Sequence, residues 1–133
     1  MGRVVAALCQ SDPQVEIAAG FDVLGSADRE FPVFSSPARF QGEADAVIDF
    51  SAPAALEGLL EFSIARKIPL VLATTGYTPE QVAQIGAAAL KTPIFRSANM
   101  SLGINVLLEL VKKAASVLGD SCDIEIVERH HRR

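Results

Sequence analysis

Apolar residues recur along the chain at two spacings, one typical of buried strands and one typical of amphipathic helices. Short apolar runs predict strands at residues 15–21, 45–50, 70–73 and 93–96. Spacings of three and four residues predict helices at residues 3–10, 56–64, 79–90 and 102–118. Strands that alternate with helices are typical of a parallel α/β sheet, so this is the fold class that the pattern predicts.

Two helix boundaries have clear chemical signals. Thr78 can cap a helix, Pro79 suits its first turn, and Gln81 completes a capping box. Gly119 follows the last apolar position of the longest helix, where a glycine commonly ends a helix. The pattern therefore predicts where these two helices begin or end, as well as that they exist.

The C-terminal part of the chain has a different pattern. Residues 123–128 (DIEIVE) alternate acidic and aliphatic side chains, which predicts a half-exposed strand of a second sheet. We therefore place a domain boundary near Asn99. The expected organisation is a Rossmann-like parallel domain over residues 1–99 and the beginning of an α+β domain over residues 100–133.

Composition narrows the function classes. The chain has 133 residues, of which 50% are hydrophobic, so it can bury one domain core. Its net charge of −4 argues against nucleic-acid binding, and no run is long enough to span a membrane. The N-terminus lacks a signal-peptide pattern, so we expect a cytoplasmic protein without nucleic-acid or membrane partners. Cys9 and Cys122 fit no metal-site spacing and are interpreted as reduced packing residues.

Candidate binding residues follow the predicted strands, because ligands of open α/β sheets lie beyond the carboxyl ends of the strands. These positions are Asp22, Phe50–Ser51, Thr74–Gly76 and Ala98–Asn99. Asp22 follows Gly2 by 20 residues, close to the spacing at which an acidic residue binds the adenosine ribose. The alternative is that Asp22 only forms a turn or caps a helix, and that Thr74–Gly76 is no more than a turn.

Two adjacent histidines, His130 and His131, lie in a basic C-terminal stretch. On a strand they would point to opposite faces, which disfavours a shared metal ion. Two interpretations stay open. One is a proton donor beside an anion-binding histidine, and the other is a solvated basic tail.

Several segments together resemble the dihydrodipicolinate reductase family, the 4-hydroxy-tetrahydrodipicolinate reductases of the diaminopimelate route to lysine. They cover the chain from end to end: MGR at 1–3, IDFSAP at 48–53, ATTGYTPEQ at 73–81, SANMSLGINV at 97–106 and DIEIVERHHRR at 123–133. The most specific is the double-histidine segment that follows the Asn-Met-Ser-Leu-Gly-Ile-Asn segment.

The resemblance implies an oxidoreductase with a Rossmann-like cofactor domain joined to a substrate domain near Asn99. It implies that His130 is the general acid, His131 binds the substrate and Asp22 binds the ribose. The other cofactor contacts that it implies are Gly2, Arg3, Phe50, Ser51, Gly76, Ala98, Asn99 and Met100. The reaction that it implies is hydride transfer from NADH or NADPH to a small dicarboxylate, 4-hydroxy-tetrahydrodipicolinate, with a proton from the general acid, giving tetrahydrodipicolinate.

The resemblance leads to further expectations about cofactor, assembly and completeness. No Arg or Lys follows Asp22 until Arg29, so we favour NADH over NADPH. The family implies a homotetramer. It also places a first strand with a glycine-rich loop before Met1 and a lysine with a Gly-Thr turn after Arg133. We therefore expect a fragment that lacks both ends and is inactive alone.

Two other functions are kept as alternatives. One is a nucleotide-binding or sensing module without catalysis, since a fold alone does not establish an activity. The other is a different Rossmann-type dehydrogenase, such as one acting on homoserine or aspartate semialdehyde. His130 distinguishes them, because only the reductase needs this side chain for turnover.

Overall fold

The structure, a computed structural model, describes residues 1–25, 30–127 and 129. The chain divides into two compact units, Met1–Ala98 and Asn99–Arg133. The assignment of these units as a cofactor domain and the start of a substrate domain stays a prediction.

The first unit is built around a parallel sheet with strand order β3–β4–β5. The strands are β3 (Val47–Asp49), β4 (Leu70–Leu72) and β5 (Ile94–Arg96), all parallel. Helix α2 (Leu56–Arg66) connects β3 to β4, and α3 (Pro79–Ala89) connects β4 to β5. The predicted α/β class with a parallel sheet is therefore confirmed.

The central strand is buried because both of its edges are paired and α2 and α3 cover it. Leu70 and Leu72 are almost completely buried and lie in one apolar cluster with residues of both helices. The helical members of the cluster are Leu56, Leu59, Leu60, Ile85 and Ala88. The apolar run at 70–73 is therefore the continuous pattern that a strand buried in a parallel sheet requires.

A second, smaller sheet differs from the sequence prediction. It pairs β1 (Gly20–Phe21) with β2 (Val33–Phe34) in parallel, and these strands are not part of the β3–β4–β5 sheet. The prediction of a strand over residues 15–21 was too long, because β2 offers only two residues for pairing. β2 itself was missed, since two apolar residues beside Pro32 give no recognisable strand pattern.

Aromatic packing joins the small sheet to the rest of the first unit. Phe21 and Phe34 each meet Phe40 edge to face, with ring centroids 6.2 and 5.9 Å apart. Phe21 also meets Phe62 of α2 at 5.9 Å. The Arg66 guanidinium lies 5.6 Å from the Phe62 ring centroid and donates to the Phe40 carbonyl at 3.1 Å. This aromatic cluster fixes β1 and β2 against α2.

The predicted capping box at the start of α3 is confirmed. Thr78 Oγ1 accepts a hydrogen bond from the Gln81 amide at 3.3 Å, and Gln81 Oε1 accepts one from the Thr78 amide at 3.0 Å. Helix α1 (Gly2–Ser11) also forms, close to the prediction, and it has no fully buried residue. Helix α2 extends to Arg66, beyond the predicted range of 56–64, and the chain leaves it through Lys67 in the left-handed region.

The second unit contains α4 (Leu102–Leu118), whose bounds agree with the prediction. Ser101 caps its N-terminus by accepting from the Ile104 amide at 3.4 Å, and a short 3-10 turn, Gly119–Ser121, follows. The predicted strand at 123–128 is wrong for residues 123–127, which have no strand structure. A strand needs a hydrogen-bonded neighbour, and the described part of this unit contains no other strand.

Three further properties concern the described ranges as a whole. Within them, no helix has both the length and the apolar character to cross a bilayer. The same ranges contain no group of three or more His, Cys, Asp or Glu that could hold a metal. Cys9 and Cys122 are both free thiols, but Cys122 is exposed, so its interpretation as a packing residue was wrong.

Candidate functional site

Polar residues gather where the strands of the main sheet end. Asp49 is the last residue of β3, Thr74–Gly76 follows β4, and Arg96 is the last residue of β5. Because the strands are parallel, their carboxyl ends lie at the same edge of the sheet. This edge is where an open α/β sheet places a ligand, and we refer to it as the carboxyl edge.

The carboxylate of Asp49 organises the carboxyl edge. Its side chain is buried, and Oδ1 accepts hydrogen bonds from the Ser51 amide at 3.0 Å and the Ser51 hydroxyl at 2.5 Å. Oδ2 accepts from Thr74 Oγ1 at 2.7 Å and from the Tyr77 hydroxyl at 3.3 Å. One side chain therefore contacts the turn after β3 and the turn after β4.

A second contact joins the same two turns. Gln81 Nε2, from the first turn of α3, donates to the Pro53 carbonyl at 2.9 Å. Gly76 has a φ of +83°, a conformation that costs a residue with a side chain about 1–2 kcal/mol. The turn after β4 therefore needs a glycine at position 76 for its backbone conformation. Asp49 holds this turn through Thr74 and Tyr77, and the Gln81 contact ties the start of α3 to the turn after β3.

Tyr77 has an unusual environment for a phenol. Burial raises the pKa of Tyr77 to about 12, and the negative charge of Asp49 adds to the rise. The Arg96 guanidinium lies 5.9 Å from the Tyr77 ring centroid, and its positive charge opposes the rise in this pKa. The neutral phenol is thus favoured as a donor to Asp49.

We expect the phenol of Tyr77 to titrate near pH 12 in a tyrosinate absorbance titration. The signal is unambiguous, because the chain has one tyrosine and no tryptophan. Since the folded pKa is raised above the unfolded value of about 10, the folded state holds this proton more tightly. The resulting stabilisation is complete below about pH 10 and is lost as the pH rises towards 12. A midpoint at the ordinary value in the folded protein would contradict this geometry.

The structure brings two of the sequence-predicted positions together at the carboxyl edge. Ser51 and Gly76 are exposed, and Phe50 between β3 and Ser51 is half-buried. Ala98 lies two residues beyond β5 and is exposed at the end of the first unit. Exposed turns at the carboxyl ends of parallel strands, one of them next to a half-buried aromatic residue, are where an open α/β sheet can contact a nucleotide.

Asp22 lies at the end of the small sheet and forms a turn. Its amide donates to the Phe34 carbonyl at 3.0 Å, and its Oδ1 accepts from the Leu24 amide at 2.9 Å. The structure therefore confirms that Asp22 forms a turn, which was the alternative interpretation. A contact between Asp22 and the ribose stays a prediction. Gly2 and Arg3, also predicted to bind the cofactor, lie in the exposed first turn of α1.

The remaining predicted residues lie in the second unit or outside the described residues. Asn99 Oδ1 accepts from the Ser101 amide at 2.8 Å, next to exposed Met100. This contact arranges the chain just before α4. His130 and His131 lie outside the described residues, so their catalytic and substrate-binding roles stay predictions.

Sequence reasoning missed the two residues with the most partners in this site, Asp49 and Tyr77. Asp49 appeared only within a predicted strand and the IDFSAP segment, and Tyr77 only within the ATTGYTPEQ segment. A signal was present, because a carboxylate inside an apolar strand must find hydrogen-bond donors if it is buried. Its partners in Thr74 and Tyr77 are 25 and 28 residues away, beyond the reach of a local pattern.

Comparison with known proteins finds similar sequences in one family. A family model described as "Dihydrodipicolinate reductase, N-terminus" matches residues 1–100. Among similar proteins named 4-hydroxy-tetrahydrodipicolinate reductase, that of Caldanaerobacter subterraneus subsp. tengcongensis is 50% identical over 131 residues, covering 98% of this chain and 51% of the relative. That of Clostridium perfringens strain SM101 is 46% identical over 134 residues, covering 100% of this chain and 53% of the relative.

A third relative of the same name, from Clostridium tetani, is 41% identical over 133 residues, covering 100% of this chain and 52% of the relative. The chain thus spans about half the length of the curated relatives that it matches. The family model agrees with the parallel α/β fold of the first unit. On this evidence, the chain belongs to the dihydrodipicolinate reductase family.

Proposed function

We propose that the protein reduces 4-hydroxy-tetrahydrodipicolinate to tetrahydrodipicolinate with a reduced nicotinamide dinucleotide, as a step of lysine and diaminopimelate biosynthesis. The observation that carries the proposal is the carboxyl edge, where Asp49 joins the Ser51 and Gly76 turns in a chain of this family. In the balanced reaction, the 4-hydroxyl group leaves as water and the ring gains a hydride and a proton. A bound reduced nicotinamide supplies the hydride.

The residues at the carboxyl edge fit a dinucleotide. Ser51 and Gly76 are exposed, and Gly76 has no side chain to block a close approach. Phe50 offers a half-buried ring for apolar contact. By the same proposal, Asp22 binds the ribose hydroxyls. The resemblance adds Gly2, Arg3, Ala98, Asn99 and Met100 as further cofactor contacts.

Two histidines complete the proposed reaction. His130 acts as the general acid that supplies the proton, and His131 helps to bind the dicarboxylate. These roles rest on the family motif at 123–133 and on the chemistry of imidazole, which changes charge near neutral pH. The proposal also includes a homotetramer in the cytoplasm, which light scattering and cell fractionation test directly.

A reductase assay tests the proposed function. The protein, as its gene encodes it, is mixed with reduced nicotinamide dinucleotide and freshly generated 4-hydroxy-tetrahydrodipicolinate. We expect the absorbance of the reduced nicotinamide to fall only when both protein and substrate are present. Tight dinucleotide binding without turnover would contradict the reductase and support a sensing module instead.

We expect the protein to prefer NADH over NADPH, with a KM for NADH about tenfold lower. Asp22 is an exposed carboxylate at the end of β1, and the residues that follow it through Gly25 carry no positive charge. A carboxylate accepts hydrogen bonds from a ribose 2′-hydroxyl and repels a 2′-phosphate. Steady-state KM values for the two cofactors check this expectation. The Asp22→Asn variant is the control, because loss of the negative charge should reduce the difference between the KM values for NADH and NADPH. A lower KM for NADPH in the unmodified protein would contradict the preference.

A further inference from the structure

Asp49 is buried in a way that direct cofactor contact does not explain. Only 4% of its surface is exposed, although it lies at the end of a strand beside exposed turns. A buried carboxylate is costly unless hydrogen bonds compensate for the lost water. Here four hydrogen bonds do so, and all of them come from this chain.

The four hydrogen bonds divide evenly between the two carboxylate oxygens. Oδ1 binds the amide and hydroxyl of Ser51, within the turn after β3. Oδ2 binds Thr74 and Tyr77, within and just after the turn that follows β4. Since a carboxylate has about four acceptor sites, little capacity remains for a ligand. Asp49 therefore acts on the turns rather than on a bound molecule.

We propose that Asp49 is a positioning residue that holds the Ser51 turn and the Gly76 turn at a fixed separation, so that both can bind one dinucleotide. This inference rests on the proposed function. Without the carboxylate, each exposed turn becomes free to move, and binding must then order it at an entropic cost. The buried core should persist, because the β3–β4 pairing continues through backbone bonds such as Ala73 amide to Asp49 carbonyl, at 2.9 Å.

Two substitutions of Asp49 separate its effects. Asp49→Ala removes all four acceptor contacts, and we expect the Kd for NADH to rise about tenfold to a hundredfold. In Asp49→Asn, the amide oxygen can keep the Ser51 contacts while the amide nitrogen faces Thr74 and Tyr77. Both of those groups are hydroxyls, which can accept instead of donate. We therefore expect Asp49→Asn to restore binding to within a few-fold of the unmodified protein.

A matched control lies at the opposite edge of the same sheet. Thr92 is also 4% exposed, and its hydroxyl donates to the Ile68 carbonyl at 3.3 Å and lies 3.3 Å from Ser63 Oγ. Thr92→Val removes a buried hydrogen-bonding group just before β5. This position lies at the amino ends of the strands, whereas the Ser51 and Gly76 turns lie at their carboxyl ends. We expect this variant to unfold at a lower urea concentration with an unchanged Kd for NADH.

Readouts that need no cofactor complete the test. In Asp49→Asn, the Tyr77 phenol loses a negative neighbour, so its titration should move towards lower pH, whereas Thr92→Val should leave it unchanged. In Asp49→Ala, the Ser51 amide loses its acceptor and should exchange its hydrogen faster.

The outcomes distinguish this inference from the proposed function. If Asp49→Ala binds NADH as tightly as the unmodified protein, or Thr92→Val weakens binding equally, the positioning role is overturned. If the unmodified protein binds no dinucleotide, the proposed function fails and so does the role in binding. The titration and amide exchange still decide in that case whether Asp49 holds the two turns together. An unchanged rate of amide hydrogen exchange at Ser51 in Asp49→Ala would contradict the proposal that Asp49 holds the turns together.

Discussion

If His130 is the proposed general acid, the His130→Gln variant is expected to carry out the proposed reduction of 4-hydroxy-tetrahydrodipicolinate about 10²- to 10⁴-fold more slowly than the unmodified protein. A positioned general acid contributes a factor of this size, and a glutamine amide cannot supply the proton. Because the proposed cofactor contacts come from other residues, the Kd for NADH should change little. Stopped-flow measurement of hydride transfer, together with a fluorescence titration of NADH, separates the two effects.

His131→Gln is the matched control for this prediction. The same substitution at the neighbouring position should raise the KM for the dicarboxylate while lowering kcat much less, since His131 is proposed to bind the substrate rather than to donate the proton. Equal turnover by the His130→Gln variant and the unmodified protein would exclude His130 as the acid. Loss of NADH binding in the same variant would assign His130 to the cofactor instead.

The Leu72→Ala variant should lose about 2–5 kcal/mol of unfolding free energy. Leu72 is fully buried in the central strand and belongs to the cluster formed with α2 and α3. Removing its isobutyl group leaves a cavity that close-packed neighbours cannot fill completely. Urea unfolding followed by circular dichroism gives the difference directly. In a unit of this size, such a loss lowers Tm by roughly 10 °C or more.

Leu90→Ala provides the control for the core prediction. This substitution removes the same atoms, but the Leu90 side chain is 89% exposed at the end of α3. We expect a change within about 0.5 kcal/mol, as for other exposed positions. Similar losses in both variants would mean that Leu72 does not lie in the core of the folded protein.

The elements that the sequence predicted well are those whose signals are local. The bounds of helix α4 follow from its apolar spacing and from Gly119, and the start of α3 follows from the Thr78–Gln81 capping box. The buried strand β4 is visible as a continuous apolar run. The predictions of strands at 15–21 and 123–128 were poorer, since only residues 20 and 21 of the first range form a strand and residues 123–127 form none. Strand formation depends on a partner elsewhere in the chain.

The candidate site was predictable in part for the same reason. The turns at Ser51 and Gly76 could be found, since a ligand edge follows from strand order and the turns follow the strands. The role of Asp49 in joining them could not be found, because Thr74 and Tyr77, its partners in the second turn, come from a different βα unit. Burial of a polar side chain depends on tertiary contacts that hydrophobic periodicity does not record.

The ring of Phe21 contacts both apolar clusters of the first unit. Opening of the small sheet would therefore withdraw an aromatic group from the main core, so both sheets should melt as one cooperative body. The next residue in the chain is Asp22. Asp22 is exposed, but the packing of Phe21 restrains its backbone. The carboxylate that is proposed to bind the ribose is therefore held in place by the residue before it.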